Sequence, residues 1–98
     1  MQFGTFVDRL DAAVRSIVPP VTLAREETPA TATWIRLPFR VGVTRTAGGS
    51  VLAWIGIRGV VGRQWIEPCE EASIERLALG FAAVLSAPSD DTADDAVS

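Results

Sequence analysis

The sequence predicts an α+β domain: a two-layer sandwich with an antiparallel three-stranded sheet, built from a long β-hairpin plus a short edge strand. N- and C-terminal helices flank the sheet, in the order α-β-β-β-α. Three observations carry this reading. Apolar residues recur at helical spacing near both ends, residues 33–43 alternate with the two-residue period of a strand, and Gly48 and Gly49 mark a tight turn between two alternating segments.

Thr5 and Asp8 resemble a capping box with Asp in place of Glu, and Phe6, Leu10, Ala13, Val14 and Ile17 then fall on one helical stripe. The first helix is therefore expected from about Thr5 to Val18. Pro19 and Pro20 end it, because proline removes backbone donors and disfavours helical geometry in the residue before it. Val21 to Glu27 alternates loosely and reads as the edge strand, with residues 28–33 as connector around Pro29.

From Thr33 the alternation is regular. Ile35, Leu37, Phe39, Val41 and Val43 point one way, and Trp34, Arg36, Pro38, Arg40 and Gly42 the other. Adjacent glycines supply the positive φ that a hairpin needs between Thr46 and Ser50. The returning strand then sets Ala53 opposite Val43, Ile55 opposite Val41, Ile57 opposite Phe39 and Val61 opposite Ile35, and it places Trp54 against Gly42 beside Arg40. Gly56, Gly59 and Gly62 recur every three residues, out of step with a strand, so at least one marks a bulge or bend. Val60 to Ile66 either continues the second strand or turns back as another.

Glu67, Pro68, Glu70 and Glu71 give the acidic, proline-marked start of a second helix. Its buried stripe is Ile74, Leu77, Phe81, Val84 and Leu85, over about Cys69 to Ala87, and Pro88 closes it. Residues 1–88 thus form a single α+β domain. Residues 89–98, with Asp90, Asp91, Asp94 and Asp95, have too little apolar surface to offset the entropy of ordering and are expected to be a disordered acidic tail.

Charge and composition narrow the chemistry. The net charge is −3, but the nine basic residues set against the eight acids before Ser89 leave the body at +1, too neutral for strong attraction to duplex nucleic acid. All nine basic residues are arginine, while lysine, asparagine and tyrosine, which use AT-rich codons, are absent together. Either base composition or selection for planar, bidentate contacts gives that number, so the positions of the arginines carry the information. A single cysteine, Cys69, excludes an intrachain disulfide and fits a reducing compartment. Charged residues at Asp8, Arg9, Asp11 and Arg15 interrupt any signal-peptide core, and no apolar stretch reaches the ~20 residues of a membrane helix. A cytoplasmic location is expected, with no membrane partner.

Catalysis lacks its usual groups. There is no histidine, so Cys69 at a helix entrance has no imidazole to act as its base. Glu67, Glu70, Glu71 and Glu75 offer carboxylates for a hard cation without the glycine or asparagine that shape a binding loop, so they read as a solvated first helical turn. No catalytic residue, metal site or cofactor is expected. Helix two carries a second stripe of Ala72, Leu79 and Ala83, which suits packing on helix one or an oligomer contact.

One constellation remains. Trp34, Arg36, Arg40, Leu52, Trp54 and Arg58 fall on the side of the hairpin that two helices on the other face leave uncovered, where they either cover the sheet within the chain, with Trp54 packed over Gly42 and Arg40, or meet another molecule. Tryptophan and arginine dominate the binding energy of protein interfaces. The expectation is a non-enzymatic protein-interaction or assembly module, self-associating or binding a protein partner through this face. The alternative is a weak single-stranded nucleic-acid binder, with bases stacked on the indoles. The order helix, strand, hairpin, helix is similar to that of small phage tail-terminator and head–tail joining proteins. That analogy of order alone implies a structural or assembly role, or an inhibitory one, and assigns no residue.

Overall fold

The computed structural model describes residues 1–18 and 23–87. Two helices and five strands follow one another as α1 (Phe3–Ile17), β1 (Ala24–Thr28), β2 (Thr31–Arg36), β3 (Phe39–Arg45), β4 (Val51–Ile57), β5 (Val60–Glu67) and α2 (Glu71–Leu85). The strands form one antiparallel sheet in sequence order, β1-β2-β3-β4-β5. The α+β class and the two flanking helices agree with the sequence reading, but the sheet has five strands where three were expected.

Helix α1 buries Phe3, Phe6, Val7, Leu10 and Val14 in one stripe. It begins two residues earlier than expected, after Gln2, whose side chain makes no capping bond. Thr5 lies inside the first turn, so the capping box of Thr5 and Asp8 is not formed. Helix α2 buries Ile74, Leu77, Ala78, Phe81, Ala82 and Leu85 around a buried Ser73. These stripes meet Ala32, Trp34, Phe39, Val41, Val43, Val51 and Ala53 from one face of the sheet in a single apolar core. Both helices therefore sit on the same side, and among the described residues no helix covers the opposite face. No helix among the described residues is long and apolar enough to cross a membrane. The acidic segment 89–98, Pro88 and the Pro19–Pro20 stop lie outside the described residues.

The two extra strands come from two turns. The segment expected as one strand from Thr33 to Val43 reverses at Leu37–Pro38, whose peptide bond is cis, so Arg36 pairs with Phe39. Proline has no N–H to donate to a ladder, which favours a turn over a central strand position. The second reversal is at Arg58–Gly59, where φ of 54° and 82° provides the left-handed geometry of a two-residue hairpin turn. The chain returns there as β5, resolving the alternative left open for residues 60–66. The connector expected at residues 28–33 is shorter as well: Pro29 and Ala30 turn, and β2 starts at Thr31.

The Leu37–Pro38 turn inverts parity. In an unbroken strand Trp34 lies opposite in sense to Val41, but across a two-residue turn the two become direct partners and share a face. Trp34 thus joins Val41 inside the core, and Ile35 pairs with Arg40 outside. The expectation that Ile35 lies with Val41 and Val43 is corrected by this turn. The hairpin register beyond it agrees with the sequence reading: Val43 faces Ala53, Val41 faces Ile55, Phe39 faces Ile57, and Trp54 faces Gly42. The expected pairing of Ile35 with Val61 does not occur, since Val61 pairs with Gly56. The register shifts between Ile55 and Gly56, where Gly62 is the extra residue of a bulge.

Candidate functional site

The uncovered face is a grid of three cross-strand rows. The central row runs Glu26, Thr33, Gly42, Trp54 and Gln64; one flank runs Thr28, Thr31, Thr44, Leu52 and Ile66; the other runs Ala24, Ile35, Arg40, Gly56 and Val61. Leu52, Trp54 and Ile35 are half-buried by their neighbours, while Ile66 is 60% exposed. Trp54 lies flat over Gly42, its ring occupying the space that any side chain at position 42 would fill. Glycine there lets the indole lie across the neighbouring strand, with Arg40 diagonal to it.

Of the six residues selected from sequence, Arg40, Leu52 and Trp54 lie on this face. Trp34 does not. It is fully buried on the helix side, its Nε1–H donates to Asp11 Oδ1 at 2.8 Å, and its ring centroid is 6.1 Å from that of Phe81. Arg36 also points to the helix side, where its guanidinium donates to the carbonyls of Leu85 at 2.6 Å and Ala87 at 3.1 Å at the end of α2. Arg58 stands in the β4–β5 turn, and its backbone N–H donates to Pro38 O at 2.9 Å, tying the two extra turns together. Ile35 and Ile66, which the sequence reading left off the site, belong to the grid. Pro38 was the available signal for Ile35, since a proline within an alternating run argues against one continuous strand.

The remaining arginines and acids mostly face one another. Asp11 accepts from Trp34 and Arg15, and Arg25 lies within 3.4 Å of it. Burial raises the Asp11 carboxyl, but the hydrogen bonds from Trp34 and Arg15 and the charges of Arg15 and Arg25 outweigh it, so its pKa lies below the ordinary value. Glu67 is held below its ordinary pKa chiefly by the hydrogen bond from Arg76 at 3.0 Å, against the opposing effect of burial and with help from the Trp65 indole. Glu71 pairs with Arg9 on α1. The four glutamates considered for a cation thus do not converge, and among the described residues no group of three or more His, Cys, Asp or Glu side chains is placed to hold a metal ion. Cys69 is half-buried, and its thiol donates to Met1 O at 3.4 Å.

The open face combines the flat indole of Trp54, the aliphatic side chains of Ile35, Leu52, Val61 and Ile66, and the guanidinium of Arg40, a composition suited to contact by packing. Comparison of the chain with protein-family models, with curated proteins and with solved structures finds no match.

Proposed function

We propose that this chain is a non-enzymatic, cytoplasmic interaction module that docks a protein partner on the uncovered sheet face, with Trp54 as the anchor. The observation that supports this reading is the grid itself: Ile35, Leu52, Trp54 and Ile66 share a face to which neither helix contributes a side chain to the core. An aromatic anchor ringed by aliphatic and polar residues is the usual make-up of an interface centre.

Leu52→Glu and Trp54→Ser test it. Immobilised wild-type chain should retain a specific protein from extracts of the cells that make it, both variants should lose that protein while keeping wild-type circular dichroism, and retention should survive raised salt. Identical capture by wild type and both folded variants would refute the reading.

Single-stranded nucleic acid is the second reading, supported by Arg40 standing diagonal to Trp54 on the same face. It ranks lower because Arg9, Arg15, Arg25 and Arg76 are engaged with carboxylates and Arg36 with the end of α2. Fluorescence anisotropy with a labelled oligonucleotide separates the two, since phosphate contacts weaken steeply as salt rises.

A further inference from the structure

The two edges of the sheet differ in kind. Strand β1 is five residues long, carries Arg25, Glu26 and Glu27, and is followed by Pro29, all features that discourage another strand from pairing with it. Strand β5 is eight residues long, pairs with β4 and with no other strand among the described residues, and holds Val60, Val61 and Ile66 at 69%, 47% and 60% exposure. Among the described residues no strand pairs with its outward backbone groups, which form a template for a further strand.

The side chains of β5 specify what that strand is. Arg63, Trp65 and Glu67 lie on the helix side, with the Arg63 guanidinium 4.8 Å from the Trp65 ring and the Trp65 Nε1–H donating to Glu67 Oε2 at 3.1 Å. Gln64 and Ile66 lie on the open side. An antiparallel copy of the same strand must keep each face continuous, which restricts the register to every second position. Centring the pair on Gln64 sets Arg63 against the partner's Trp65 and leaves Glu67 against the partner's Val61, whose facing the Gly62 bulge has shifted. A centre at Arg63 opposes like charges. A centre at Trp65 sets Arg63 opposite the partner's Glu67 twice over, pairs the indoles across the axis, and puts Gln64 beside the partner's Ile66. It also ends the ladder where Gly62 meets the partner's Pro68, a residue with no N–H to donate.

We propose that a second copy of this chain completes β5, the two strands pairing antiparallel about a two-fold axis at Trp65 to join two five-stranded sheets into one of ten strands. The contact is isologous, so each Arg63 meets the partner's Glu67 and the assembly closes at two copies. It leaves Trp54 free on the open face, and so is independent of the docking role proposed above.

Sedimentation equilibrium of the full chain at about 100 μM, a concentration that populates even a weak micromolar dimer, should give twice the 10.5 kDa of one chain. Arg63→Glu, which sets two acids together at both ends of the contact, should weaken the dimer by about tenfold or more while the fold is retained. In a Cys69→Ser background, Gln64→Cys equilibrated with Ile66→Cys should cross-link on oxidation and neither alone should do so, because directly opposed antiparallel positions match the ~5.5 Å Cα separation of a disulfide. A monomer at that concentration would overturn the proposal. So would self-cross-linking of Gln64→Cys alone, or a dimer that survives Arg63→Glu and is lost in Trp54→Glu, which would place the contact on the open face instead.

Discussion

Trp34 and Asp11 illustrate how a buried indole is anchored in a small core. The ring fills the space between Phe81 and α1, and its N–H meets a carboxylate that two arginines also hold. A hydrogen bond to a charged acceptor contributes more than a neutral one, so Trp34→Phe should lower stability in urea unfolding at neutral pH by about 2 kcal/mol, whereas Trp34→Ala should cost about 4 kcal/mol through the added cavity. The pH dependence has a definite sign. Asp11 and Glu67 have folded pKa values below the 3.8 and 4.5 of their free groups, so their stabilisation is complete above those values and is lost as pH falls through the lowered ones. Removing the Trp34 donor moves the folded Asp11 pKa back toward 3.8. The stability gap between wild type and Trp34→Phe should therefore narrow as pH drops below 3.8. A gap that stays constant across acid titration would show that the indole acts by volume alone.

At the scale of the element, the β3–β4 hairpin was legible from sequence because its two signals agree. The alternation runs unbroken from Phe39 to Val43, and the turn at Thr46–Ser50 has the glycine it needs at Gly49, where φ is 84°. Strand β2 was misread because apolar alternation looks the same on both sides of a two-residue turn, while the facing of every side chain inverts across it. The consequence fell on Trp34 and Ile35, which exchange faces. Arg36, two residues beyond Trp34, inverts with it and closes the end of α2 on the helix side. Strand β5 stayed ambiguous because the Gly62 bulge breaks its two-residue period. Trp54 over Gly42 was recoverable because the hairpin register determines it. Gly42→Val should accordingly destabilise the sheet by about 2 kcal/mol or more by driving the indole off β3. Gly48→Ala, where an added Cβ meets only Thr46 Oγ1 at 4.0 Å, should stay close to wild type in the same urea titration.

At the scale of the whole molecule, the layers are unequal. One sheet face is packed by α1 and α2; the other carries the apolar grid, and β5 is an edge strand among the described residues. The strand order also has a kinetic consequence. Every strand hydrogen-bonds to its neighbour along the chain, so each hairpin closes a short loop at small entropic cost, whereas the contact between α1 and α2 must enclose the entire sheet. Refolding after a denaturant jump should be fast for a sheet protein, on the order of milliseconds, and limited by the central hairpin. Val43→Ala should then slow refolding, while Leu10→Ala, which loosens the helix layer, should act mainly by accelerating unfolding. The helices would in that case be the last part of the structure to lock and the first to come loose.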